Sequence, residues 1–294
     1  MTHTEQFLRD IEWKKWQNTH RLFAILDCAQ LSDEDRKAVH YLDTSVCLSL
    51  FKGTQDEALH DVEPLLLDPL NISTSHGMPW LVQSDQSVPA LLWLASNLPI
   101  EELARRMRTL LSADLPGAPD ALLRFYDPRV FCKLMHVLSV DQKALFFASA
   151  QQWWAWSTTR GERQHFVAPS AQVQAVEKIA LNSAQMQALN QMDMDEFVSK
   201  TKADMVRQKD SRVHTKDLSR DRIERLVDEH INKAVGFGFE SEEGVVEYLE
   251  HVATVLGWSF DEEASHRELL LTLQNDSFDE DKKLAYLKRV NRIA

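Results

Sequence analysis

The sequence predicts an α+β protein: an N-terminal mixed α/β lobe with a β-sheet and flanking helices, followed by an all-helical C-terminal lobe. Three observations predict it. Short apolar runs rich in β-branched and aromatic residues alternate with helix-start signals over about the first 165 residues. Composition shifts after Pro169, and nearly every later segment has a helical apolar period. The 294 residues, 44% hydrophobic and 27% charged with few glycines and prolines, are enough chain for a sizeable core. The expected division is an α+β domain over residues 1–168 and a helical lobe over 169–294.

The elements follow in order. "RLFAILDCA" is a short apolar run ending at Asp27 and predicts a buried strand. In "LSDEDRKAVHYL", Ser32 is placed to cap a helix, Asp35 stands three residues on, and acids fill the first turn. "VCLSLFKG", "PLLLDPL" and "VPALLWLAS" read as three further strands, with Gly53, Pro64 and Pro69 as punctuation. "PIEELARRMRTLL" opens on Pro99 and runs from acids to bases, as the helix dipole favours. After the turn-rich "LPGAPD", the stretch "ALLRFYDPRV" predicts a strand ending near Asp127, because Pro128 lacks an N–H and restricts the residue before it. Helices are expected through "VFCKLMHVL" and "DQKALFFA", then a strand or edge segment at "QQWWAWST" that "RQHFVAPS" could pair with.

In the second lobe, "DMDEFVSKTKADMV" offers a capping box of Asp193 with Glu196 and an apolar stripe of Met194, Phe197, Val198, Thr201 and Met205. A charged break, "KDSRVHTKDLSR", precedes "DRIERLVDEHINKAV", whose apolar face ends before Gly236 as a C-cap. Ser241 caps "EEGVVEYLEHVATVL", with Gly257 past its end, and "DEDKKLAYLKRVNRI" forms the last helix.

A net charge of -12 and a pI of about 5.4 argue against general binding to nucleic acid or anionic membranes. The N-terminus lacks the basic and apolar regions of a secretory signal, and no apolar run approaches the roughly 18 residues of a membrane span. Cys28, Cys47 and Cys132 are scattered, with no CxxC spacing. A cytoplasmic protein without disulfides is expected.

Phosphate-loop, dinucleotide, HExxH and GxSxG signatures are missing, so no cofactor is predicted. Cys132 and His136 share a helix face at i,i+4, but two ligands do not make a metal site, and a buried thiol is the simpler reading. Trp153, Trp154 and Trp156 suit a core or a partner interface better than a ligand platform. Lys282, Lys283, Lys288, Arg289 and Arg292 suit a solvated, dipole-matched helix end better than a docking patch. The remaining constellation is Asp27 with Arg124, Tyr126, Asp127 and Arg129. It reads as ion pairs that lock strand ends. The alternative is a hydrolase or transferase site, which needs a nucleophile or tuned base that the motif does not carry beside it.

"LFAILDCA", "LLRFYDPRVFCKLM" and "LFFASAQQWWAW" together resemble the effector-chaperone (adaptor) domain of bacterial type VI secretion systems, long classed as a domain of unknown function. The resemblance covers roughly residues 20–160 and rests on Leu26–Asp27 and on the run Arg124, Phe125, Tyr126, Asp127, Pro128 and Arg129. Cys28 departs from the glycine the family often has after Leu-Asp. The helical lobe resembles, more loosely, the variable extension such adaptors carry. The resemblance implies a non-enzymatic protein that binds a cognate toxic effector, stabilises it and helps load it onto the VgrG spike. It also implies a partner-specific second lobe, where Tyr248, Trp258 and Phe260 are contact candidates. A purely structural component of the secretion machine is a further alternative.

Overall fold

The computed structural model describes residues 2–40, 42–73, 75–157, 161–168, 176–211, 215–254 and 264–291. Two compact units, Met1–Asn190 and Gln191–Ala294, make up the chain. Pro169, where the composition shifts, lies outside the described residues.

The first unit is built on an antiparallel six-stranded sheet. In chain order its strands are β1 (Arg21–Asp27), β2 (Cys47–Ser49), β3 (Pro64–Leu67), β4 (Leu91–Ser96), β7 (Gln152–Ser157) and β8 (Glu162–Val167). They are arranged β2-β3-β1-β4-β7-β8. Between them fall β5 (Ser112–Leu115) and β6 (Ala118–Leu122), which with β9 (Ile179–Ala180) form a second sheet in the order β6-β5-β9. The helices of this unit are α1 (His3–Asp10), α2 (Asp33–His40), α3 (Met78–Ser87), α4 (Ile100–Thr109), α5 (Pro128–Val137) and α6 (Val140–Ser149).

The apolar runs are explained by helices covering both faces of the large sheet. Phe23 and Ile25 of β1 pack on one face with Leu103, Met107, Phe131 and Phe146 from α4, α5 and α6. The intervening Leu22, Ala24 and Leu26 pack on the other with Phe7 of α1 and Leu81 and Val82 of α3. β7 divides in the same way, Trp153 to the first core and Trp154 to the second. A strand buried on both faces keeps its period of two but shows no polar alternation.

Among the described residues the second unit is helical. α7 (Ser183–Arg207) crosses into it, and α8 (Arg220–Gly236), α9 (Glu242–Thr254), α10 (Ala264–Leu273) and α11 (Glu280–Asn291) complete it. Its core gathers Phe197 and Met205, Val227 and Ile231, Tyr248 and Val252, Leu269, Leu273 and Leu287.

The structure thus has the expected α+β class, and it corrects several details. The strand expected to reach Asp127 ends at Leu122, because Asp127 N–H closes a turn on the Arg124 carbonyl at 3.1 Å and its side chain then caps α5. Pro128 is the first helical residue, where a missing N–H costs nothing. Asp193 lies inside α7, not at its start. That helix opens earlier, where Asn182 and Gln185 exchange side-chain-to-backbone hydrogen bonds of 2.9 and 3.0 Å. Gly236 is the last residue of α8, and Gly238 takes the left-handed turn with φ of 83°. Gly257 lies outside the described residues. Helices α1, α3 and α10 were not among the sequence expectations.

Candidate functional site

Two chain turns bring the charged constellation together. Asp27 ends β1, its N–H donating to the Ala90 carbonyl of the neighbouring β4 entry at 2.8 Å. Its side chain, fully buried, accepts from Ala29 N–H at 3.1 Å, from Gln30 Nε2 at 3.4 Å and from Arg124 Nη2 at 3.2 Å. Asp127, also buried, accepts from the Arg129 backbone N–H at 2.9 Å and from the Arg129 guanidinium at 3.0 and 2.7 Å. Arg124 also stands 3.9 Å from Asp127, so one guanidinium faces both carboxylates.

The two acids and the two bases are differently placed. The arginine side chains remain 46% and 36% exposed, and water can still solvate them. Burial pushes the Asp27 carboxyl above the ordinary carboxylate range, with Arg124 pulling the other way. Burial likewise pushes the Tyr126 phenol up to about 12, leaving it neutral at pH 7. Phe125 is buried against Phe146, with ring centroids 5.6 Å apart, and Tyr126 against Phe51 at 6.0 Å. Pro128 is buried at the head of α5. Every carboxylate oxygen of Asp27 and Asp127 is engaged by a donor, so the cluster ties β1 to the start of α5. A catalytic carboxylate would need an oxygen turned toward a substrate.

Each of the other expected residues has its own local setting. Trp153 is wholly buried and stacks on Phe131 at 5.0 Å, and Trp154 is 2% exposed, which removes both from any partner surface of the folded chain. Trp156 is half-buried. Tyr248 is fully buried in the second unit, its hydroxyl 3.2 Å from His230 Nδ1, so it is not a surface contact either. Trp258 and Phe260 lie outside the described residues, as does Arg292. Lys283, placed with the solvated helix-end bases, is instead buried and donates to the Phe237 carbonyl at 2.7 Å. Lys288 pairs with Glu243. Cys132 is buried, and His136 Nδ1 is 2.6 Å from its carbonyl oxygen. Among the described residues no three His, Cys, Asp or Glu side chains group closely enough to hold a metal ion, and no helix is long and apolar enough to cross a membrane.

Sequence reasoning missed a second buried pair. Asp85 of α3 is 1% exposed and bonded to Arg163 of β8, whose guanidinium also lies 4.7 Å from the Phe7 ring centroid and 5.6 Å from that of Trp156. The available signal was an aspartate in an otherwise apolar-to-neutral helix, and only the fold supplies its partner. Beside this pair a cleft opens between the end of α1 and the β7–β8 hairpin.

Residues 22–145 match the model of the family described as "Domain of unknown function (DUF4123)". The matched segment contains Asp27 and the whole run Arg124–Arg129. No curated protein and no solved structure matches the chain.

Proposed function

We propose, from the premise that residues 22–145 belong to this family and that the family is known as an effector chaperone and adaptor domain of type VI secretion, that the protein is a non-enzymatic adaptor. In this reading it holds one cognate toxic effector in the cytoplasm of the producing cell, keeps it folded, and helps load it onto the VgrG spike. The observation that carries the reading is the family match over residues 22–145, a segment that contains both Asp27 and the run Arg124–Arg129. The internal engagement of both carboxylates supports a motif that shapes the fold, not one that turns over a substrate. The second unit, outside the matched segment, is the natural carrier of partner choice.

The test is affinity purification of the tagged chain from its host at natural expression, followed by mass spectrometry and reconstitution with the purified candidates. A stoichiometric complex with one large toxin that also recruits the spike supports the reading. A chain without any stoichiometric partner, in cells expressing the secretion genes, overturns it.

A further inference from the structure

The cleft beside Arg163 has a volume of about 440 Å³ and a distinct chemistry. Its lining includes three exposed acids, Asp10 at the end of α1, Glu12 just beyond it and Glu162 at the start of β8. Glu12 is already paired with Lys15 at 2.6 Å, so Asp10 and Glu162 supply the charge that an incoming cation would meet. Its floor is aromatic. Trp156 lines it, and His165 stacks flat on the buried Trp154, with ring centroids 5.0 Å apart and planes 7° apart. The cationic side chain among its lining residues, Arg163, is bonded to buried Asp85 and is only 13% exposed. Burial lowers the pKa of His165, which favours the neutral ring at pH 7, and its Nε2–H donates to Gln152 Oε1 at 2.7 Å. The cleft therefore offers negative charge around π faces, the setting that attracts a cation.

Both walls lie outside the family match. Residues 10–12 precede it and residues 154–165 follow it. A feature built from flanking segments suits recognition particular to this chain more than a role common to the family.

We propose that this cleft receives a basic side chain, an arginine, carried on an exposed segment of the protein partner. Arginine fits better than lysine because its planar guanidinium can lie on Trp156 or His165 while its fork reaches a rim carboxylate. The inference rests on the adaptor reading for the identity of the partner, but the chemistry of the cleft can be tested without it.

The test uses the full chain and two nine-residue peptides that differ only in a central arginine or citrulline, titrated by tryptophan fluorescence. The arginine peptide is expected to bind about tenfold more tightly, with the preference weakening as salt rises. The preference should vanish in the Asp10→Asn/Glu162→Gln double variant, whose exposed substitutions leave the melting temperature unchanged. Equal binding of the two peptides, no binding, or a preference that survives in the double variant overturns the proposal. Effector co-purification, run in parallel, separates the two readings. A chain that prefers arginine but captures no effector sinks the adaptor reading alone. One that captures effector but shows no peptide preference sinks the cleft alone.

Discussion

Arg124 reaches the carboxylate of Asp27 at 3.2 Å across 97 residues of sequence, joining the end of β1 to the turn that starts α5. The same guanidinium faces Asp127, which Arg129 grips from the other side. The corner is closed by two buried acids and two half-exposed bases.

Asp127→Ala removes the N-cap of α5 and takes the Asp127 carboxylate away from the Arg129 guanidinium. A lost cap costs about 1 kcal/mol, and stranded polar partners add about 1–3 kcal/mol. The arginines can rehydrate, which holds the total to the low end of that sum, about 2 kcal/mol, short of the roughly 3–5 kcal/mol typical of breaking a fully buried pair. Chemical denaturation should show this loss, with Asp127→Asn intermediate because it retains an acceptor. Any loss of partner binding should track the lost stability. A variant that melts normally yet binds nothing would instead give Asp127 a direct role.

Asp27 predicts a pH dependence of opposite sign to the usual carboxylate. Burial raises its pKa in the fold more than Arg124 lowers it. Between the unfolded value, about 3.9, and the raised folded value, the fold binds more protons than the unfolded chain. Its contribution to stability therefore falls as pH rises through that window. Asp27→Asn keeps an acceptor for Ala29 N–H and removes the buried charge. At neutral pH it should cost little or stabilise, and the difference from the parent should shift against the variant as pH drops and Asp27 becomes neutral. Stability curves of the two proteins against pH decide the matter. A parent that loses its Asp27-linked stability on acidification would reverse the sign.

Much of this architecture is legible in the sequence because burial on both sheet faces writes itself as unbroken apolar runs. "RLFAILD" and "LLWLAS" are each a strand for that reason. Ser32, Ser241 and Pro99 mark helix starts because orphan N–H groups need a local answer. The sequence misleads where a local signal has two uses. Asp127 before proline resembles a strand end but is a helix cap, and Asp193 with Glu196 resembles a cap but lies within a longer helix. The charged corner is visible as residue types, while the Asp85–Arg163 pair, 78 residues apart, and the α1–β8 cleft, which joins residues 10–12 to residues 154–165, depend on tertiary neighbours and leave no local trace.

The tryptophans of β7 should separate folding from recognition. Trp153→Ala deletes a fully buried ring stacked on Phe131 and should cost about 3–5 kcal/mol. Trp156 is half-buried at the cleft, and its replacement by alanine should lower the melting temperature far less while weakening partner capture. Paired melting and co-purification measurements test this. Equal destabilisation by both, or undiminished capture by the folded Trp156 variant, contradicts it.

In the second unit, Glu280 at the head of α11 caps α9 from outside, accepting from Ser241 N–H at 2.9 Å and Glu240 N–H at 3.1 Å. Burial pushes its carboxyl up, but these bonds and the Ser241 hydroxyl outweigh it and hold the pKa below the ordinary value. Its contribution is therefore present above the unfolded pKa, about 4.3, and lost as pH falls through the folded one. Glu280→Ala should cost about 0.5–2 kcal/mol at neutral pH, as a lost cap does. That difference should close on acidification, which helix-sensitive melts at pH 7 and pH 3 would reveal. A gap that stays constant with pH would mean that Glu280 acts by packing and not by its charge.

Truncation tests where the first unit ends. A fragment ending near residue 170 stops where the composition shifts, yet the core of that unit uses residues beyond it. Ile179 and Leu181 are buried in it, and Ile179–Ala180 pairs with β5 in the second sheet. Lys178 bonds Asp114 at 2.6 Å and also bonds Asp120, and the Gln142 side chain donates to the Ala180 carbonyl at 2.6 Å. Cutting at 170 uncovers that apolar surface and strands those polar groups, whereas cutting at 190 keeps both. Residues 1–190 should therefore unfold cooperatively as a soluble fragment, and residues 1–170 should aggregate or melt well below it. If 1–170 proves as stable as 1–190, β9 and the start of α7 contribute nothing to the fold. If 1–190 aggregates while the full chain does not, the first unit depends on residues beyond 190 for its stability.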